Sequence, residues 1–311
     1  MYKEKRPSHS EFAPIRGLIY HVQRWGPALS SANTAPPLVL LHGWMDVAAS
    51  YQFMVDAFSN AFAEGRSVIA PDWRGFGQTD AGDADSFWFP DYLADLDFLL
   101  DHYCPGQPVD LVGHSMGGNV AMMYAGVRPE RIRRLVNLEG FGLAASQPSQ
   151  APARYAEWMD ALKSLQRGDT ALKSYADANG VAARLMKTNP RLSADKAAWL
   201  AERWARPDKT VGGAGQWKIQ GHAAHKVTSA QIYRLEELLE IYQRITAPLL
   251  AVEADSDSMA QWWKGAYTLD DYHQRLKNVA DARIAVITDA GHMLHHDQPE
   301  QLALLIEDFL A

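Results

Sequence analysis

The chain has 311 residues, 47% of them apolar, 22% charged and 10% aromatic, with a formal charge of −7. That much apolar surface excludes a disordered polymer, and charges of both signs without a basic stripe argue against a nucleic-acid partner. Cys104 is the only cysteine, so no internal disulfide forms. The charged opening MYKEKRPSHSEF carries no secretory signal, and no stretch approaches the roughly 20 apolar residues that span a bilayer. The expectation is a cytoplasmic protein, monomer or homodimer, built as one large domain with an insertion or as two small ones.

In chain order, GLIYHVQRWG (17–26) reads as an opening strand or hairpin arm. PPLVLLHGW (36–44) is a continuous apolar run ended by glycine, as in a strand buried on both faces. A helix follows over 47–62, then a strand at 66–73 and a helix at 90–103 with Pro90 in its first turn. VDLVGHS (109–115) is a strand, 117–127 a helix of small residues, and 132–140 another strand. From 143 to 245 the pattern is helical, without a convincing strand, and includes a glycine-rich hinge candidate at 211–217. Alternation resumes with a strand at 247–255, a helix at 259–278, a strand at 282–291 and a last helix at 299–310. Such alternation predicts a mostly parallel sheet covered on both faces. The core is then 1–142 and 246–311, with 143–245 inserted over one end.

Gly113-His114-Ser115-Met116-Gly117 joins a strand to a helix. A glycine-bracketed serine there makes a sharp, strained bend that lifts its hydroxyl clear of the backbone, at a helix N-terminus that favours developing negative charge. In that context Ser115 reads as a nucleophile. With LLHGW (40–44), DWRGFGQT (72–79), GHSMGG (113–118) and DAGHMLHHDQPE (289–300) in this order, the chain resembles the α/β-hydrolase superfamily. The resemblance implies an α/β fold with an eight-stranded, doubly wound, mostly parallel sheet and an inserted all-helical cap.

A serine needs a base. His292, on the loop after the last strand, matches the family's histidine; His295 and His296 fit packing or capping contacts better. The imidazole needs a carboxylate to set its tautomer. Asp257 stands where most of the family place it and is the first choice. Glu139 ends the preceding strand, where some members, including one branch of the haloalkane dehalogenases, carry theirs. The oxyanion hole is expected from the N–H groups of Met116 and Trp44. Trp44, His114 and Phe141 are expected to line the substrate pocket, His42 to brace its loop, and Asp72 to pair with Arg74. Trp158, Trp199, Trp204 and Trp217 read mostly as cap core, and Trp88 and Trp262–Trp263 as the cap–core seam. HAAH (222–225) lacks further ligands, and neither a metal nor an organic cofactor is expected. The expected activity is cleavage of a small carboxylic ester with an apolar portion. A carbon–carbon bond hydrolase, a cofactor-free perhydrolase and a ligand-binding receptor remain the alternatives.

Overall fold

The computed structural model describes residues 2–29, 35–208 and 215–311. Eight strands form the main sheet: β1 (His9–Ile15), β2 (Leu18–Trp25), β3 (Leu38–Leu41), β4 (Val68–Pro71), β5 (Val109–His114), β6 (Ile132–Leu138), β10 (Leu249–Ala254) and β11 (Ala282–Ile287). Their order is β1-β2-β4-β3-β5-β6-β10-β11. β1 and β2 join antiparallel, and the six strands from β4 onward run parallel. The expected eight-stranded, mostly parallel sheet is present. β1 was not expected: HSEFAPI buries only alternate residues near its end and lacks an apolar run.

The period of two along a strand decides which core each side chain enters. In β3, Leu38 and Leu40 join one apolar cluster, while Val39 and Leu41 join the other across the sheet. The helices are α1 (Gln52–Ala57), α2 (Asn60–Ala63), α3 (Phe89–Tyr103), α4 (Met116–Val127), α5 (Ala151–Gln166), α6 (Ala178–Thr188), α7 (Ala194–Trp204), α8 (Leu235–Tyr242), α9 (Ser258–Trp263), α10 (Leu269–Leu276), α11 (Leu294–Asp297) and α12 (Pro299–Leu310). Residues of α3, α4, α8 and α10 cover one face, and α1, α11 and α12 the other. The helix expected over 47–62 is broken into α1, α2 and a short 3-10 turn. The one expected over 259–278 is two, separated by Lys264 and Gly265, both at positive φ. Among the described residues, no helix is long and apolar enough to cross a membrane.

Between β6 and β10 the chain adds no strand to this sheet. It is not all-helical there, which corrects the expectation. Ser174–Tyr175 (β7), Ala205–Pro207 (β8) and Trp217–Ile219 (β9) form a small antiparallel sheet in the order β7-β9-β8. Strands of two or three residues are too short for alternation to reveal. Most of the hinge candidate at 211–217 lies outside the described residues. Trp199 enters an apolar cluster shared by α6, α7 and residues 47–53, with Trp204 and Trp217 packed against it. Trp204 Nε1 also donates to Met45 O at 3.0 Å, Trp88 Nε1 to Gln231 Oε1 at 3.0 Å, and Gly77 N to Gln220 O at 2.8 Å.

The imidazole of His225 lies between two phenyl rings, Phe76 at 3.6 Å and Phe87 at 3.8 Å, both nearly parallel to it. Burial, reinforced by His222, pushes its pKa from 6.5 down to about 3. The folded chain therefore refuses a proton that the unfolded chain accepts. Stability is full above 6.5 and falls as pH drops towards 3. Each such histidine contributes a slope of up to about 1.4 kcal/mol per pH unit. Urea unfolding across this interval should show stability declining with acid, and His225→Leu should flatten that slope whatever it does to absolute stability.

Candidate active site

The parallel strands point their carboxyl ends to one edge, where open α/β sheets place their ligands. Register sets the candidate groups side by side. His114 pairs with Leu138 across β5 and β6, and Leu138 with Val252 across β6 and β10. Ser115 N then donates to Leu138 O at 2.8 Å, and Glu139 N to Val252 O at 3.0 Å. Ser115 and Glu139 thus leave neighbouring strands at the same level.

Ser115 has φ 53° and ψ −116°, a conformation that costs a non-glycine residue about 1–3 kcal/mol. The bend closes because its flanks have no side chains. A Cβ on Gly113 would stand 2.3 Å from Gly117 O, and one on Gly117 would stand 2.1 Å from Leu41 O. α4 begins immediately, so Met116 N–H is among the helix's first donors, which lack an intrahelical acceptor. The Ser115 hydroxyl makes no capping bond to the helix.

The loop after β3 abuts this turn. A methyl on Gly43 would lie 3.2 Å from Ser115 Cβ, and Trp44 follows with its side chain exposed. His42 braces the loop. Its Nε2 accepts from Trp73 N at 2.9 Å, so Nδ1 carries the proton and donates to Gly43 O at 2.8 Å. Trp73 Nε1 donates in return to His42 O at 3.0 Å. Burial lowers the pKa of His42 and keeps it neutral for this role.

His292 Nδ1 bonds Glu139 Oε2 at 3.2 Å. The carboxylate is buried beneath it. Oε1 accepts from Ala254 N at 2.8 Å, and Oε2 from Ser258 Oγ at 2.6 Å. Glu139 itself sits at φ 54°. Asp257 is elsewhere: it is exposed and caps α9, its Oδ1 accepting from Ala260 N at 2.9 Å. Of the two acids the sequence left open, the structure brings Glu139 and not Asp257 to the imidazole. Asp255 instead holds the histidine's loop, accepting from Asp289 N at 2.8 Å and Ala290 N at 3.1 Å.

The serine's turn and the histidine's loop are tied directly, since His114 Nε2 donates to His292 O at 2.7 Å. His114 is buried, and burial together with the neighbouring His292 holds its pKa well below the usual value. Expected to line the substrate pocket, it stands buried and bonded to the histidine's loop. Phe141, also expected at the pocket, is buried against Tyr272, ring centroids 5.1 Å apart, and its carbonyl accepts from Tyr267 Oη at 2.5 Å. Trp44 remains exposed, and Trp262 meets the His292 ring edge to face at 4.4 Å. Asp72 and Arg74 do not pair. Asp72 bonds His21 Nδ1 at 2.7 Å and Ala48 N at 2.7 Å, whereas Arg74 grips Asp95 at 2.6 and 2.7 Å. In HAAH, His222 Nδ1 accepts from Ala224 N at 3.3 Å, while His225 sits in its aromatic stack.

Sequence reading missed one group. Asp46, His295 and His296 are buried together behind His114, although about 250 residues separate the aspartate from the histidine pair. No local pattern links them.

Comparison with known proteins bears on the fold that carries these residues. A serine hydrolase-like protein of Danio rerio is 24% identical over 93% of this chain and 84% of its own. An sn-1-specific diacylglycerol lipase of Mus musculus is 25% identical over 91% of this chain and 83% of its own. In four other curated relatives the match extends over 34% to 44% of their length. A thioesterase domain from the curacin biosynthetic pathway superposes with TM-score 0.79 at 24% identity, covering 96% of this chain and 99% of that one, and so shares the fold. Residues 36–299 match the family model described as the alpha/beta hydrolase fold, and the chain belongs to that family.

Proposed function

We propose that the chain is a serine hydrolase of carboxylic esters, with Ser115 as nucleophile, His292 as base and Glu139 as the orienting acid. The observation that carries this reading is the hydrogen bond at 3.2 Å between the buried Glu139 and the partly exposed His292, whose loop is bonded to the residue preceding Ser115. The relatives named as a serine hydrolase-like protein and a diacylglycerol lipase support it. We take 143–245 as a cap over this edge of the sheet.

The chemistry follows from proton placement. A carboxylate only accepts, so His292 Nδ1 carries the proton towards Glu139 and Nε2 keeps its lone pair. Nε2 takes the Ser115 proton as Oγ attacks the ester carbonyl. The carbonyl electrons move onto oxygen, where the Met116 and Trp44 N–H groups stabilise the charge. The imidazolium, countered by Glu139, then protonates the departing alcohol, leaving an acyl group on Ser115. Water, deprotonated by the same nitrogen, attacks the acyl carbon and releases the acid. Trp44 and Trp262, both about half exposed beside these groups, offer an apolar surface to the substrate's hydrocarbon part.

A fluorophosphonate probe should label the native chain once, at Ser115, and Ser115→Ala should abolish both labelling and hydrolysis of nitrophenyl esters. Labelling elsewhere, or full activity in the variant, would remove the proposal.

The acid assignment has its own test. In Glu139→Gln the amide nitrogen must face either the donor Ala254 N or, together, Ser258 Oγ and His292 Nδ1, disturbing the site and the tautomer, and kcat should fall on the order of 10³–10⁴-fold. Asn caps a helix as well as Asp does, so Asp257→Asn should leave kcat within about tenfold. The opposite outcome in this pair of steady-state measurements would hand the role to Asp257.

A further inference from the structure

Behind the proposed serine centre lies a second convergence of polar side chains. Asp46, His295 and His296 are 6%, 0% and 4% exposed. One potential ligand atom from each lies within 4.8 Å of the others. His295 Nε2 stands 3.9 Å from Asp46 Oδ2. Ser50 Oγ sits among them, 3.2 Å from His295 Nε2 and 2.5 Å from His296 Nε2. Asp46 Oδ2 and His295 Nδ1 are buried without a hydrogen-bond partner. An unbonded buried carboxylate oxygen is costly, and no lysine or arginine pairs with Asp46 among the described residues.

We propose that Asp46, His295 and His296 form a binding site for one d-block divalent cation of the zinc type, with Ser50 Oγ at the fourth position. Two imidazoles and one carboxylate are donors that suit zinc, whereas calcium and magnesium prefer all-oxygen sites. Bonds of 2.0–2.2 Å about a tetrahedral centre put ligand atoms about 3.3–3.6 Å apart. The separations of 2.5, 3.2 and 3.9 Å straddle that range. Metallation therefore asks for shifts of about an ångström or less along these pairs. A dication would also supply the countercharge that this buried carboxylate lacks.

The cation would link two separate parts of the active edge. Asp46 follows Trp44 on the loop after β3, and His295 and His296 belong to α11, which follows His292. The His295 ring lies 4.5 Å from that of His114, whose Nε2 holds the His292 carbonyl. Occupancy would stiffen the junction between the oxyanion loop and the imidazole loop without entering the cleft. This inference stands on the cluster alone and does not depend on the ester reading.

The test is titration of tag-free, chelator-treated full-length chain with Co²⁺ and Zn²⁺, loaded both by dialysis and by refolding so that slow entry does not hide a closed site. One equivalent of Co²⁺ should bind with the strong visible bands of four-coordinate cobalt, Zn²⁺ should displace it, and Zn²⁺ should raise Tm. His296→Gln and Asp46→Asn should each lose the bands and the Tm shift, while His9→Ala, at an exposed histidine, should keep both. A wild-type chain that takes up no stoichiometric Co²⁺ by either route overturns the proposal, as does binding that persists unchanged in both variants. Should a variant fail to fold, imidazole ¹⁵N resonances of the wild type decide: Zn²⁺ must move those of His295 and His296, and movement confined to exposed histidines overturns the site.

Discussion

The active edge depends on one close backbone approach, that of the Ser115 turn to the carbonyl of Leu41. With 2.1 Å between that oxygen and the place a Gly117 Cβ would occupy, the first turn of α4 leans directly on the end of β3. The strain of a serine at φ 53° is held by this contact and by the bond from Ser115 N to β6. Either released alone would let the turn relax towards an ordinary helix start, with its hydroxyl turned back to cap the helix. Three strands therefore set one side chain: β5 carries it, β3 props the helix behind it, and β6 fixes its backbone.

The same arrangement explains why a glutamate at the end of β6 reaches the imidazole. Register places Glu139 beside Ser115, one strand over, and its positive φ turns the chain sharply at that point. The side chain then reaches Ala254 N, at the end of β10. Asp257, three residues beyond, has already entered the cap of α9 and spends its oxygen on Ala260 N. The helix it starts is useful all the same, because α9 carries Ser258 to Glu139 Oε2 and Trp262 to the face of His292. One aspartate contributes at a distance by holding a helix, while the buried glutamate makes the contact.

What the sequence made legible was what is local. The turn around Ser115 could be read because its glycines, its strand and its helix lie together within residues 109–127. The parallel core could be read because β3, β5 and β10 are continuous apolar runs. The choice between Asp257 and Glu139 could not, since both follow the ends of strands and only their approach to His292 separates them. The partner of Arg74 was misread for a similar reason. Asp72 is two residues away along the chain, yet it is occupied by His21 and Ala48 N, and Asp95, on α3, takes the guanidinium. β1 and the short strands β7 to β9 escaped because an edge strand with a polar face and strands of two or three residues carry too little periodicity.

The segment between β6 and β10 does not simply rest on the sheet. Some of its contacts fall on the loops that carry Trp44 and His292. Trp204 bonds the carbonyl of Met45, next to Trp44. Asn189 Nδ2 donates to Asp297 Oδ1 at 2.7 Å, and the other oxygen of Asp297 receives Gly291 N at 2.9 Å, one residue before His292. By contrast, α5 has no buried residue, although it carries Tyr155, Trp158 and Met159. The segment thus divides into a part fastened to the loops of Trp44 and His292 and a helix held by little packing. Changes in the fastened part act on the positions of Trp44 and His292, whereas changes in α5 leave those loops untouched. A substitution at Asn189 and one at Tyr155 are therefore different experiments, even though both lie outside the sheet that carries Ser115.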